Sequence, residues 1–157
     1  MKAASVREIK QELSNRSADE LLELCLRLSK FKKENKELLT YLLYEASNEA
    51  AYVENIKDEM ALEFERINRK SYYFIKKSVR KILRNVKKYI RYSKKKETEV
   101  ELLIYFCSEL KRMSPSMEQN TTLHNIFQRQ IRSVSKTISY LHEDLRYDYE
   151  MELNALS

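Results

Sequence analysis

The chain has 157 residues, 43% of them apolar and 34% charged, and a formal net charge of +6. That is the length of one ordinary domain, with enough apolar content to fold, so a globally disordered chain is excluded. There is no Gly and a single Pro. Without the positive-φ positions Gly supplies, β-hairpins, phosphate-cradling loops and a dinucleotide-binding fingerprint are excluded together.

The elements read as helices throughout. Ser5 with Glu8 forms a capping box, and Val6, Ile9 and Leu13 share one face, which predicts a leading helix over 5–14. A second box, Ser17 with Glu20, opens a helix through Leu21, Leu22, Cys25, Leu26 and Leu28 to Phe31. After a polar break at 32–35, Leu38, Leu39, Leu42 and Leu43 predict a third helix to Ala46, apolar on several sides and expected to be well buried. Leu26 and Leu42 are expected in the core between these two helices.

Ser47 and Asn48 mark the next boundary. Tyr52, Ile56, Met60, Phe64 and Ile67 then recur at spacings of four, four, four and three, opposite an acidic face of Glu54, Asp58, Glu59 and Glu63. A turn or a kink over 68–71 leads to a long helix from Tyr72 to Tyr92, about 32 Å at 1.5 Å per residue. Thr98 with Glu101 reads as a third capping box, opening a helix through Leu102, Leu103, Phe106 and Leu110 that Pro115 ends. The last helix starts near Thr121 or Thr122 and uses Leu123, Ile126, Phe127, Ile131, Val134, Ile138 and Leu141. The acidic, tyrosine-bearing tail over 143–157 is expected either to fray or to dock.

This predicts a single all-α domain over 1–157 of about seven helices. After the leading helix come three antiparallel αα-hairpins, at about 17–46, 48–93 and 98–142, arranged as a short helical stack or an irregular bundle. Three successive hairpins resemble armadillo- and HEAT-like arrays, and that resemblance implies a binding scaffold. The opening unit, Val6-Arg7-Glu8-Ile9-Lys10 through Ser17-Ala18-Asp19-Glu20-Leu21-Leu22, resembles the starts of uncharacterised bacterial helical proteins and implies no activity.

Apolar runs such as Leu42-Leu43-Tyr44 fall far short of the roughly 20 residues of a membrane span. Met1 to Ser5 leads straight into an amphipathic helix, so no signal peptide is expected. Cys25 and Cys107 lie in apolar helical runs and are expected to be buried, reduced thiols of a cytoplasmic protein. The two histidines, His124 and His142, fit no zinc or di-iron spacing, and no nucleophile pair is indicated. The chain is therefore expected to be non-enzymatic, with no cofactor and no metal.

The informative feature is charge. From Arg66 to Lys96 there are fourteen Lys and Arg and no acid, so the remaining sixteen bases face all twenty-four acids of the chain. Laid at roughly 100° per residue, Lys76, Lys77, Arg80, Lys81, Arg84, Lys87, Lys88 and Arg91 fall in one arc of about 140°. Ile75, Val79, Ile82, Leu83, Val86, Tyr89 and Ile90 fill the opposite side. Tyr73 sits among the bases and could stack on a nucleobase. Arg69, Lys70 and residues 94–96 extend the ribbon, and Arg129, Arg132 and Lys136 form a secondary stripe on the last helix.

Like charges four apart repel by a few tenths of a kcal/mol each, so a face of eight bases without an acid implies an anionic partner. The leading expectation is a scaffold whose cationic helix, centred on Arg80, Arg84, Lys88 and Arg91, engages an anionic macromolecule such as nucleic acid. The alternatives are an acidic protein surface, including a homo-oligomer, a membrane surface, or neutralisation within the fold by the acidic face or the tail.

Overall fold

The computed structural model describes residues 1–156, and every regular element among them is a helix, with no strand. The eight α-helices are α1 (Val6–Ser14), α2 (Ala18–Phe31), α3 (Lys33–Thr40), α4 (Glu49–Glu65), α5 (Tyr72–Ser93), α6 (Lys96–Arg112), α7 (Thr121–Ile138) and α8 (Glu143–Leu156). A π-helical turn, Tyr41–Glu45, follows α3, and a 3₁₀ turn, Met117–Gln119, precedes α7. By contact the chain divides into two compact units, Met1–Tyr44 and Glu45–Ser157.

In the first unit both capping boxes form. Ser5 and Glu8, and Ser17 and Glu20, each exchange the two reciprocal bonds that satisfy otherwise orphaned amides. α2 packs against α3. The expected buried core is absent: Leu26 is 46% exposed and Leu42 57% exposed, and α1, α2 and α3 bury no side chain. Two paired helices shield only the stripe each turns to the other, and leucines placed on several sides of such a pair stay wet. Cys25, expected to be buried, is exposed for the same reason.

The second unit is built around α6, which packs against α4, α5, α7 and α8. Its apolar side chains point all round the helix, and Val100, Leu102, Phe106, Cys107 and Leu110 have no exposed surface. Met60 and Phe64 of α4, Ile75 and Val79 of α5, and Leu123 and Val134 of α7 complete the core. The Phe64 and Phe106 rings meet at 5.7 Å in a tilted arrangement. The acidic tail docks as α8 against α6 and α7, burying Leu153.

The third capping box does not form. α6 starts three residues earlier, with Lys95 rather than Thr98 at its N-cap, and Thr98 is 2% exposed inside the helix. Its hydroxyl bonds Glu49 instead of a backbone amide of its own first turn. α5 is capped at its C-terminal end by Lys94, whose φ of 59° is the one positive value among the described residues. With no glycine in the chain, a lysine adopts the left-handed stop that caps this helix.

Candidate functional site

The wheel pattern of α5 is realised. Ile75, Val79, Ile82 and Val86 are buried, while Lys77, Arg80, Lys81, Arg84, Lys87 and Arg91 are exposed and Lys76 and Lys88 are half-buried. α5 and α7 both rest on α6, which leaves a cleft of about 490 Å³ between them. Arg80, Leu83, Arg84, Lys87 and Arg91 line it from α5, and Thr122, Asn125, Ile126 and Arg129 from α7. The half-buried Leu83 and Ile126 give the cleft apolar surface beneath its charged walls.

The geometry of the cleft is held at one end by α5's first residue. Tyr72 donates its hydroxyl to the Ser116 carbonyl at 2.9 Å and to Gln119 Oε1 at 3.3 Å, tying α5 to the turn that leads into α7. The Asn120 side chain then accepts from the Thr122 and Leu123 amides and starts α7. Rigid elements thus present the five cations. Among the described residues no carboxylate forms an ion pair with Arg80, Arg84, Lys87, Arg91 or Arg129.

The ribbon is nevertheless not one surface. Arg80, Arg84, Lys87 and Arg91 turn toward α7, and Lys81 toward α4. There Lys81 lies within electrostatic reach of Glu63, whose carboxyl is pushed above its usual range by burial and by Glu59, against the pull of Lys81 and a bond with Asn85. The Lys88 ammonium sits 5.0 Å over the Tyr89 ring and does not line the cleft, so Lys87 takes the place given to Lys88 at the centre of the site.

The expected extensions are also redirected. Lys95 pairs with Glu49 at 3.4 Å, Lys96 lies 4.6 Å over the Tyr140 ring, and Arg69 donates to the Phe64 carbonyl at 3.4 Å. Tyr73 is 66% exposed, its ring edge-on to Phe74 at 5.4 Å. Of the secondary stripe, Arg129 joins the cleft, while Arg132 and Lys136 are exposed on α7 outside it.

Thr122 and Asn125 are the residues sequence reasoning missed. They precede Arg129 by seven and four residues, so the stripe they share with it was visible on the wheel, but neither carries the charge that drew attention to the lysines and arginines. Among the described residues no helix is long and apolar enough to cross a membrane. No family model, curated protein or solved structure matches the chain.

Proposed function

We propose that the second unit is a non-catalytic binding domain that takes the backbone of a nucleic acid along the α5–α7 cleft. The observation that carries this reading is the convergence of five cations from two helices on one cleft, with no acid paired to any of them among the described residues. Side chains four apart on a helix stand about 6 Å from one another, a spacing that suits successive phosphates of an extended strand. Contacts of this type give affinity without sequence choice and weaken steeply with salt. Tyr73, exposed on the same side of α5 as Arg84 and Arg91, offers a stacking surface to an unpaired base.

The test is replacement of Arg80, Arg84, Lys87 and Arg91 together by Gln, read by binding to generic RNA and DNA at several salt concentrations. Binding should fall for all sequences alike, and the salt slope should shrink by about 0.7–0.9 per lost phosphate contact. The buried arc of α5 is untouched, so the fold should persist. Changing Lys77 and Lys81, which do not line the cleft, to Gln should cost much less. A wild-type chain that binds neither RNA nor DNA at low salt ends the reading, and an acidic protein surface then becomes the anionic partner to test.

A further inference from the structure

The two walls of the α5–α7 cleft differ in chemistry. The α5 wall is cationic, with Arg80, Arg84, Lys87 and Arg91. The α7 wall carries one cation, Arg129, and two neutral hydrogen-bonding side chains, Thr122 and Asn125. Leu83 and Ile126, each half-buried, add apolar surface between them. Phosphate binding makes no use of those two apolar side chains. Among the described residues neither the Thr122 hydroxyl nor the Asn125 side-chain amide has a hydrogen-bond partner. A hydroxyl and an amide, each both donor and acceptor, therefore line the cleft unengaged.

This distribution suits one strand rather than two. A single strand is one-sided, with charged phosphates along one edge and unpaired bases along the other. Laid in the cleft, it sets its phosphates on α5 and turns its bases to α7. There the ring faces meet Leu83 and Ile126 and the base edges meet Asn125 and Thr122. A duplex turns its bases inward and presents phosphates on a convex outside. Its base edges are reached by a helix that enters the major groove, about 12 Å wide, and one helix with its side chains, about 10–12 Å across, fills that groove. α5 and α7 lie side by side on α6 and do not enter it together. A duplex across the cleft meets the exposed arginines and Lys87 and leaves Leu83 and Ile126 uncovered.

Resting on the reading of the cleft as a nucleic-acid site, we propose that it selects a single strand over a duplex, with phosphates along α5 and bases turned toward α7 onto Leu83 and Ile126. The chemistry recognised is an unpaired base on a phosphodiester backbone, which DNA and RNA strands both supply. Phosphate contacts set the salt dependence, and base contacts add affinity that salt hardly changes.

Competition binding to the full chain tests this with probes of one mixed sequence of about 20 nucleotides, longer than the site of a typical single-strand-binding fold. The probes are a DNA strand, the matching RNA strand, the blunt DNA duplex, and an abasic form of whichever strand binds more tightly. That strand should bind at least about tenfold more tightly than the duplex at equal salt. The abasic form keeps every phosphate, so it should bind about tenfold more weakly than the intact strand with the same salt slope. Ile126→Ala, and Asn125→Ala at an exposed position where the fold is not at stake, should each weaken the intact strand several-fold. Neither should change the affinity of the abasic form or the salt slope. Arg84→Gln should instead lower the slope for every probe that binds. A duplex bound as tightly as either strand overturns the inference, and so does an abasic form bound as tightly as the intact strand; both leave the cleft a phosphate-binding site. Failure of all the probes to bind at low salt overturns the underlying reading as well.

Discussion

Thr98 donates its hydroxyl hydrogen to the Glu49 carboxylate at 2.6 Å, joining the first turns of α6 and α4. Ser93 donates to the same carboxylate, and Lys95 lies 3.4 Å from it. Glu49 is therefore a partly buried anion satisfied by three side chains gathered around the α5–α6 connection. Removing one donor leaves the charge under-satisfied, which costs more than an ordinary surface change. Thr98→Val keeps the shape and deletes the hydroxyl, and it should lower stability by about 1–3 kcal/mol in urea denaturation. A loss inside about 0.5 kcal/mol would show that the bond contributes nothing.

The location of the core gives a second expectation. Leu102→Ala and Phe106→Ala, each in a fully buried position of α6, should cost about 2–5 kcal/mol. Leu26→Ala, at an exposed position of α2, should cost less than about 1 kcal/mol in dilute protein. Equal losses at positions 26 and 102 would contradict the division between a wet first unit and a packed second one.

The two cysteines should separate cleanly. Burial pushes the Cys107 thiol up to about 12, so neither access nor thiolate is available in the native state. Cys25 is exposed. In dilute native protein a thiol reagent should label one cysteine per chain quickly and the second only after denaturant is added, with peptide mapping assigning the fast site to position 25. Fast native labelling of Cys107 would contradict the packing of α6.

Much of this was readable from residue spacing. Tyr52, Ile56, Met60, Phe64 and Ile67 recur with the helical period and all five are buried. The same period placed Ile75, Val79, Ile82 and Val86 inward and the bases outward. What periodicity cannot supply is the number of layers laid over a stripe. Leu26 and Leu42 have the same local pattern as Leu102 and Leu110, yet only the latter pair lies in a helix with neighbours on every side. Thr98 failed as a cap for a related reason. The Thr-x-x-Glu pattern is local, whereas Glu49 lies 49 residues away in sequence and competes for the same hydroxyl. The cleft followed the same logic: α5 announced its bases, but which of them meet α7 depended on both helices sharing α6.

Glu63 provides a pH test. Its carboxyl is shifted upward, first by burial and then by Glu59, with Lys81 and Asn85 opposing. The folded state therefore holds this proton more tightly than the unfolded chain, for which the ordinary value is 4.5. Stability from this group is present below about that pH and is lost as pH rises through the shifted value. Glu63→Gln should accordingly stabilise the protein at neutral pH and make no difference below pH 4.5. Thermal melts across that interval decide it, and a variant less stable than wild type at pH 7 would mean that the contacts with Lys81 and Asn85 outweigh the burial.

A helix enclosed by four neighbours has a kinetic signature as well as a packing one. The amides of α6 reach water only when α4, α5, α7 and α8 come away together, so their hydrogen exchange should report whole-unit unfolding. The amides of α1 to α3, in helices that bury no side chain, open by fraying and should exchange orders of magnitude faster in dilute protein. One molecule thus carries two clocks. The slow one runs at the rate at which the second unit's core is lost, and destabilising α6 should speed it while leaving the fast one unchanged.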